Sequence, residues 1–79
     1  MKDDEILSHI NALVDEERTL QSKTEHPLSD AEEERQRQIE VALDQCWDLL
    51  RQRRARRQYG DDPDEAAIRP PDIVEHYQQ

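Results

Sequence analysis

At 79 residues the chain holds one small domain at most, and its single cysteine allows no internal disulfide to brace it. Hydrophobic residues make up 33% and charged residues 39%, a balance close to that of disordered chains, so helical periodicity rather than bulk apolarity has to carry any fold. The net charge of −9 argues against a generic nucleic-acid or anionic-membrane binder. The lack of Phe and the few β-branched residues argue against a sheet, and no apolar run approaches the ~20 residues of a membrane span.

The opening Met1-Lys2-Asp3-Asp4-Glu5 is acidic and leads into an apolar–polar alternation, unlike a signal-peptide core. A cytoplasmic location with Cys46 reduced is the expectation. Residues 3–22 read as an amphipathic helix. Ile6, Ile10, Leu13 and Leu20 recur at helical spacing, and Leu7 and Val14 widen the stripe on one side. Asp3, Asp4 and Glu5 suit the positive end of the helix dipole. Residues 23–29 form the break: Pro27 disfavours helical geometry at His26, and Ser29-Asp30-Ala31-Glu32 fits a capping box. A connection of this length commonly joins antiparallel neighbours.

Residues 30–58 form the second and longer helix. Taking about 100° per residue, Ile39, Ala42, Leu43, Cys46, Leu49 and Leu50 fall within roughly 120° of arc. Trp47 sits at the rim of that stripe and Val41 points nearly the opposite way. Glu33 and Arg37 form a favourable i,i+4 pair, and Gly60 is placed to stop the helix. Beyond it, Asp62 caps a short turn with Pro63 at its first position. Arg69-Pro70-Pro71-Asp72 cannot continue a helix, and Ile73, Val74 and Tyr77 anchor a last turn. The sequence divides into a hairpin over 1–60 and an acidic, mostly irregular tail over 61–79, docked or flexible.

Folded back antiparallel, the two helices pair positions summing to about 52, an estimate from helix rise and loop length. Ile6 then lies near Cys46, Ile10 near Ala42 and Leu13 near Ile39. The second helix overshoots the first by roughly eight residues, about 12 Å. Two helices give a thin core, so the all-α hairpin is expected to dimerise into a four-helix bundle. Ile6, Ile10, Leu13, Ile39, Leu43, Cys46 and Leu50 serve the core and the dimer. The second copy would cover the flanks Leu7, Val14, Trp47 and Leu49. An antiparallel crossing between Leu43 and Asp44 sets Arg54 against Glu33 and Arg53 against Glu34.

The densest chemical signal is Arg51, Arg53, Arg54, Arg56 and Arg57. Two readings compete. One is a cationic helix end favoured by the dipole and matched by acids from the tail or a partner. The other is a surface for RNA or for an acidic protein. Trp47, with Asp44 and Asp48 beside it, is either half-buried core whose indole N–H donates to a carboxylate or a hot spot for a partner. Cys46 reads as a small buried side chain, with an adventitious intermolecular disulfide conceivable if two helices cross nearby. His9, His26 and His76 are scattered, and the acid clusters lack a calcium-loop pattern. With no phosphate loop, Ser/His constellation or acid–base dyad, no catalysis, metal or cofactor is expected.

The run from Leu43-Asp44-Gln45-Cys46-Trp47 through Asp48-Leu49-Leu50-Arg51-Gln52-Arg53-Arg54-Ala55-Arg56-Arg57, followed by Gly60-Asp61-Asp62-Pro63 and Arg69-Pro70, resembles a small family of uncharacterised actinobacterial proteins of the domain-of-unknown-function class. The likeness covers nearly the whole chain. It implies a small cytoplasmic helical protein whose tail belongs to the domain, and it transfers no activity. The expectation is a non-enzymatic interaction or adaptor protein. It would present Trp47, the Arg51–Arg57 helix end and the acidic tail to a protein partner, and would pair with itself. An RNA- or ribosome-associated factor using the same arginines is the alternative, and no membrane partner is expected.

Overall fold

A computed structural model describes residues 2–22 and 27–77, the side chains of 75–77 excepted. Among the described residues the protein is mostly helical and has no strand, with two long helices packed as a hairpin. Helix α1 spans Asp3–Gln21 and α2 spans Asp30–Gln58. A 3₁₀ turn over Pro63–Glu65 follows, and a short helix, α3, covers Pro71–Tyr77. Among the described residues no helix is long and apolar enough to cross a membrane. Residues 23–26, including His26 and most of the expected break, lie outside the described residues.

Local chemistry sets the ends of both long helices. The Glu5 carboxylate accepts the Lys2 backbone N–H at 3.2 Å, and Asp3, Asp4 and Glu5 occupy the first turn of α1. At α2 the capping box forms as its sequence requires: Ser29 Oγ accepts the Glu32 N–H at 3.2 Å and Glu32 accepts the Ser29 N–H at 3.0 Å. The far end closes in a Schellman motif. The Asp61 N–H donates to the Arg56 carbonyl at 2.7 Å, and that of Gly60 donates to the Arg57 carbonyl at 3.3 Å. Gly60 has φ of 77°, the left-handed conformation that this turn demands.

Ile6, Ile10, Leu13 and Leu20 of α1 are buried against Ile39, Cys46 and Leu49 of α2. Glu16 takes Arg35 in a two-pronged pair at 2.5 and 2.7 Å, and 16 and 35 sum to 51, close to the expected register. Leu43 and Leu50 are partly buried and pack against this core on the edge of the stripe nearest Trp47. Three expectations need correction. Leu49 is buried within the single chain and needs no second copy. Arg37 forms its close ion pair with Glu34, three residues earlier, while Glu33 acts on it only at longer range. The tail is more regular than its prolines implied, since Pro70 ends one segment while Pro71 opens α3. There Val74 is fully buried and Ile73 faces outward; the side chain of Tyr77 lies outside the described residues.

A Cβ added at Gly60 would meet nothing within 4 Å, so substitution there strains only the backbone. Gly60→Ala should lower stability by about 1–2 kcal/mol through the left-handed backbone alone. The urea midpoint should fall with an unchanged slope.

Candidate functional site

The second half of α2 presents three faces, and each meets something different. The face that continues the apolar stripe runs Cys46, Leu49, Arg53, Arg57 at spacings of three and four. Arg53 therefore sits where the pattern calls for an apolar side chain, and it is 6% exposed. Its guanidinium donates to Asp3 at 2.5 Å, to the Pro63 carbonyl at 3.1 Å and to Asp64 at 3.0 Å. Arg57 meets the other oxygen of the same Asp3 at 2.9 Å. Arg57 and Arg53 hold the Asp3 carboxyl below its usual range, and Arg53 does the same to Asp64. The overshooting end of α2 is thus tied to the start of α1 and to the 3₁₀ turn.

The second face carries Val41, Gln45, Asp48 and Gln52, again at helical spacing, and receives the tail. Asp48 is fully buried and accepts both prongs of Arg69, one at 2.9 Å, together with Gln52 Nε2 at 3.0 Å. Arg51 adds a looser ion pair at 3.9 Å. Gln45 donates to the Arg69 carbonyl at 3.1 Å and Gln52 to the Ala67 carbonyl at 2.8 Å. The side-chain amides thereby satisfy backbone acceptors of a segment with no ladder of its own. Arg69 holds the Asp48 carboxyl below the usual carboxylate range against the opposing effect of burial, with help from Gln52 and Arg51.

The third face is open. Trp47 and Leu7 remain 45% and 44% exposed, and with Leu50 they form the apolar part of a groove of about 380 Å³. Asp3, Arg51, Arg54 and Arg57 supply its charged part. Of the expected contact residues, Trp47, Arg51, Arg54 and Arg57 come together here. Arg53 is withdrawn into the fold, and Arg56 turns to Glu65 at 3.5 Å. Arg54 is exposed and makes no ion pair among the described residues. The Trp47 indole N–H finds no acceptor among them, and the neighbouring Asp48 faces the tail and binds Arg69 and Gln52. Burial raises the pKa of the Cys46 thiol and puts the sulfur inside the hairpin, so an intermolecular disulfide loses its basis. Arg53 and Glu34 are both engaged within the chain, which removes the expected pairing between them across a dimer. Among the described residues no group of three or more His, Cys, Asp or Glu is arranged to hold a metal.

Two features escaped the sequence reading. The Asp48–Arg69 pair spans 21 residues, and its sequence trace is slight: Arg69 is the lone cation of an acidic tail, and Val41 lies off the main stripe. Leu7 was legible as a flank but not as part of a groove, because its neighbour Trp47 is fixed only once the helices pack.

The family described as protein of unknown function (DUF2630) matches residues 2–79, and the chain belongs to it. The uncharacterised protein Rv0898c of Mycobacterium tuberculosis strain H37Rv is 57% identical over 77 residues, covering 95% of this chain and 88% of that relative. Mb0922c of Mycobacterium bovis, also described as uncharacterised, matches with the same identity and coverage. No solved structure matches.

Removing the Asp48 carboxylate should undock the tail. Asp48→Ala is expected to cost roughly 1.5–3 kcal/mol, the range for hydrogen bonds to charged groups, with faster amide exchange over residues 66–74. The depressed pKa fixes the sign of the pH effect. The pair contributes fully above the unfolded carboxyl value of about 4 and is lost as pH falls through the lower folded value. Wild type should therefore lose tail protection on acidification below about pH 4, and Asp48→Ala should lack that component.

Proposed function

We propose that this DUF2630 chain is a small non-enzymatic adaptor of the cytoplasm that engages a protein partner through the groove at Leu7, Trp47 and Leu50 and its arginine rim. The carrying observation is that Trp47 and Leu7 stay about half exposed beside cations, in a chain that buries its other large side chains sparingly. An exposed Trp flanked by arginines is the composition enriched at protein–protein hot spots. Disposition of the arginines favours a protein over RNA. Arg53, Arg56 and Arg57 are matched by Asp3, Asp64 and Glu65 of the same chain, and Arg51 leans toward Asp48. Little unneutralised cation is left for phosphates, against a net charge of −9. The acidic tail supports this surface without lining it, since its 3₁₀ turn fixes the arginine end from behind.

Affinity capture from the native cell, with and without nuclease, tests the reading. The expected result is a protein retained after nuclease and lost from Trp47→Ala and Leu7→Ser baits that keep the wild-type helical content. A captured species that disappears with nuclease, weakens steeply with salt and is lost on Arg54→Glu but not on Trp47→Ala would instead establish RNA binding.

A further inference from the structure

The open face of α2 has a charge order that identifies its occupant. Reading at spacings of three and four, it runs Glu33, Gln36 and Glu40, then Leu43, then Trp47, Leu50 and Arg54. Its N-terminal half is acidic, its C-terminal half is apolar and ends in a cation, and the change of character falls at Leu43. Glu33, Glu40 and Arg54 are exposed and make no ion pair among the described residues. Along α1, Leu7 and Val14 stand seven residues apart on the adjoining side, and Val14 is half-buried. The result is an apolar strip along one side of the hairpin, bounded by exposed charges of opposite sign at its two ends.

A strip with that order is complementary to itself turned end for end. We infer that the groove is filled by a second copy of this chain, the two α2 helices crossing antiparallel between Leu43 and Asp44 about a two-fold axis. The inference rests on the reading of the groove as a protein-docking surface and names its occupant. In this register Arg54 of each copy meets Glu33 of the other. Trp47 of each copy stands across from Glu40 of the other, whose carboxylate can accept the indole N–H that has no acceptor among the described residues. Two-fold symmetry makes every such contact occur twice. The apolar centre of the interface is Leu43 and Trp47 of both copies, flanked by Leu7 and Val14 from α1, the side left thin by a two-helix hairpin. The tail packs on another face of α2, that of Gln45, Asp48 and Gln52, so it does not obstruct the second copy.

Sedimentation equilibrium of the full chain at tens of micromolar, in low salt so that exposed pairs are not screened, decides the matter. Wild type is expected at twice the 9.4 kDa chain mass. Arg54→Glu and Glu33→Arg, each placing two repulsive pairs in the dimer, should each weaken association by about tenfold or more. The double variant Glu33→Arg/Arg54→Glu should return association to near the wild-type value. Both positions are exposed, so circular dichroism should show all three variants folded. A folded wild-type monomer would falsify the inference, as would a dimer indifferent to both single reversals or one not rescued by the double. If wild type is monomeric while Trp47→Ala still abolishes capture of another protein, the second copy is ruled out and the groove stands as a site for that protein.

Discussion

Arg53 is a cation placed where the heptad of α2 calls for an apolar side chain, and the far end of the molecule is built around that placement. Two separate pieces of chain converge on its guanidinium: the start of α1 through Asp3, and the 3₁₀ turn through the Asp64 carboxylate and the Pro63 carbonyl. A guanidinium withdrawn from water needs such company, because an unmatched buried charge is costly to keep. The planar fork suits the task, since its donors diverge toward partners on different sides. Where an aliphatic side chain would have let the overshooting end of α2 fray, the arginine binds it to both neighbours.

This arrangement changes what the arginine run means. Five cations in seven residues look, in one dimension, like a surface waiting for phosphate. In three dimensions most of them answer acids of the same chain. Asp3 takes both Arg53 and Arg57, while Glu65 takes Arg56. The acids that give the chain its negative balance therefore act partly as local counter-charges. Buried pairs of this kind are weak evidence for stability in themselves. What they supply here is direction, since each fixes which segment meets the end of α2.

The Asp48–Arg69 pair does for the tail what Arg53 does for the helix end. A proline-rich segment of few apolar residues has little to bury, so its docking relies on polar contacts that need particular partners. Asp48 fixes the guanidinium, and Gln45 and Gln52 satisfy carbonyls on either side of it. With α1 on one face and the tail on another, α2 is left with one uncovered side. The exposed tryptophan lies there, and the charges along it change sign from one end to the other.

Helix boundaries, caps and the hairpin register were decided by the sequence itself, because each depends on chemistry within a few residues or on a repeating apolar period. Ser29 with Glu32 starts α2, Gly60 ends it, and Ile6, Ile10 and Leu13 have one sensible partner stripe in Ile39, Ala42 and Cys46. The burial of Arg53 was half legible: its position follows from Cys46 and Leu49, but only Asp3 and Asp64 brought together from distant sequence make it tolerable. The Asp48–Arg69 pair, the groove between Leu7 and Trp47, and the withdrawal of the Cys46 sulfur were decided by tertiary structure alone. Local sequence reports which faces a helix has. Which face receives which distant segment depends on charges that find one another only after the chain has turned back on itself.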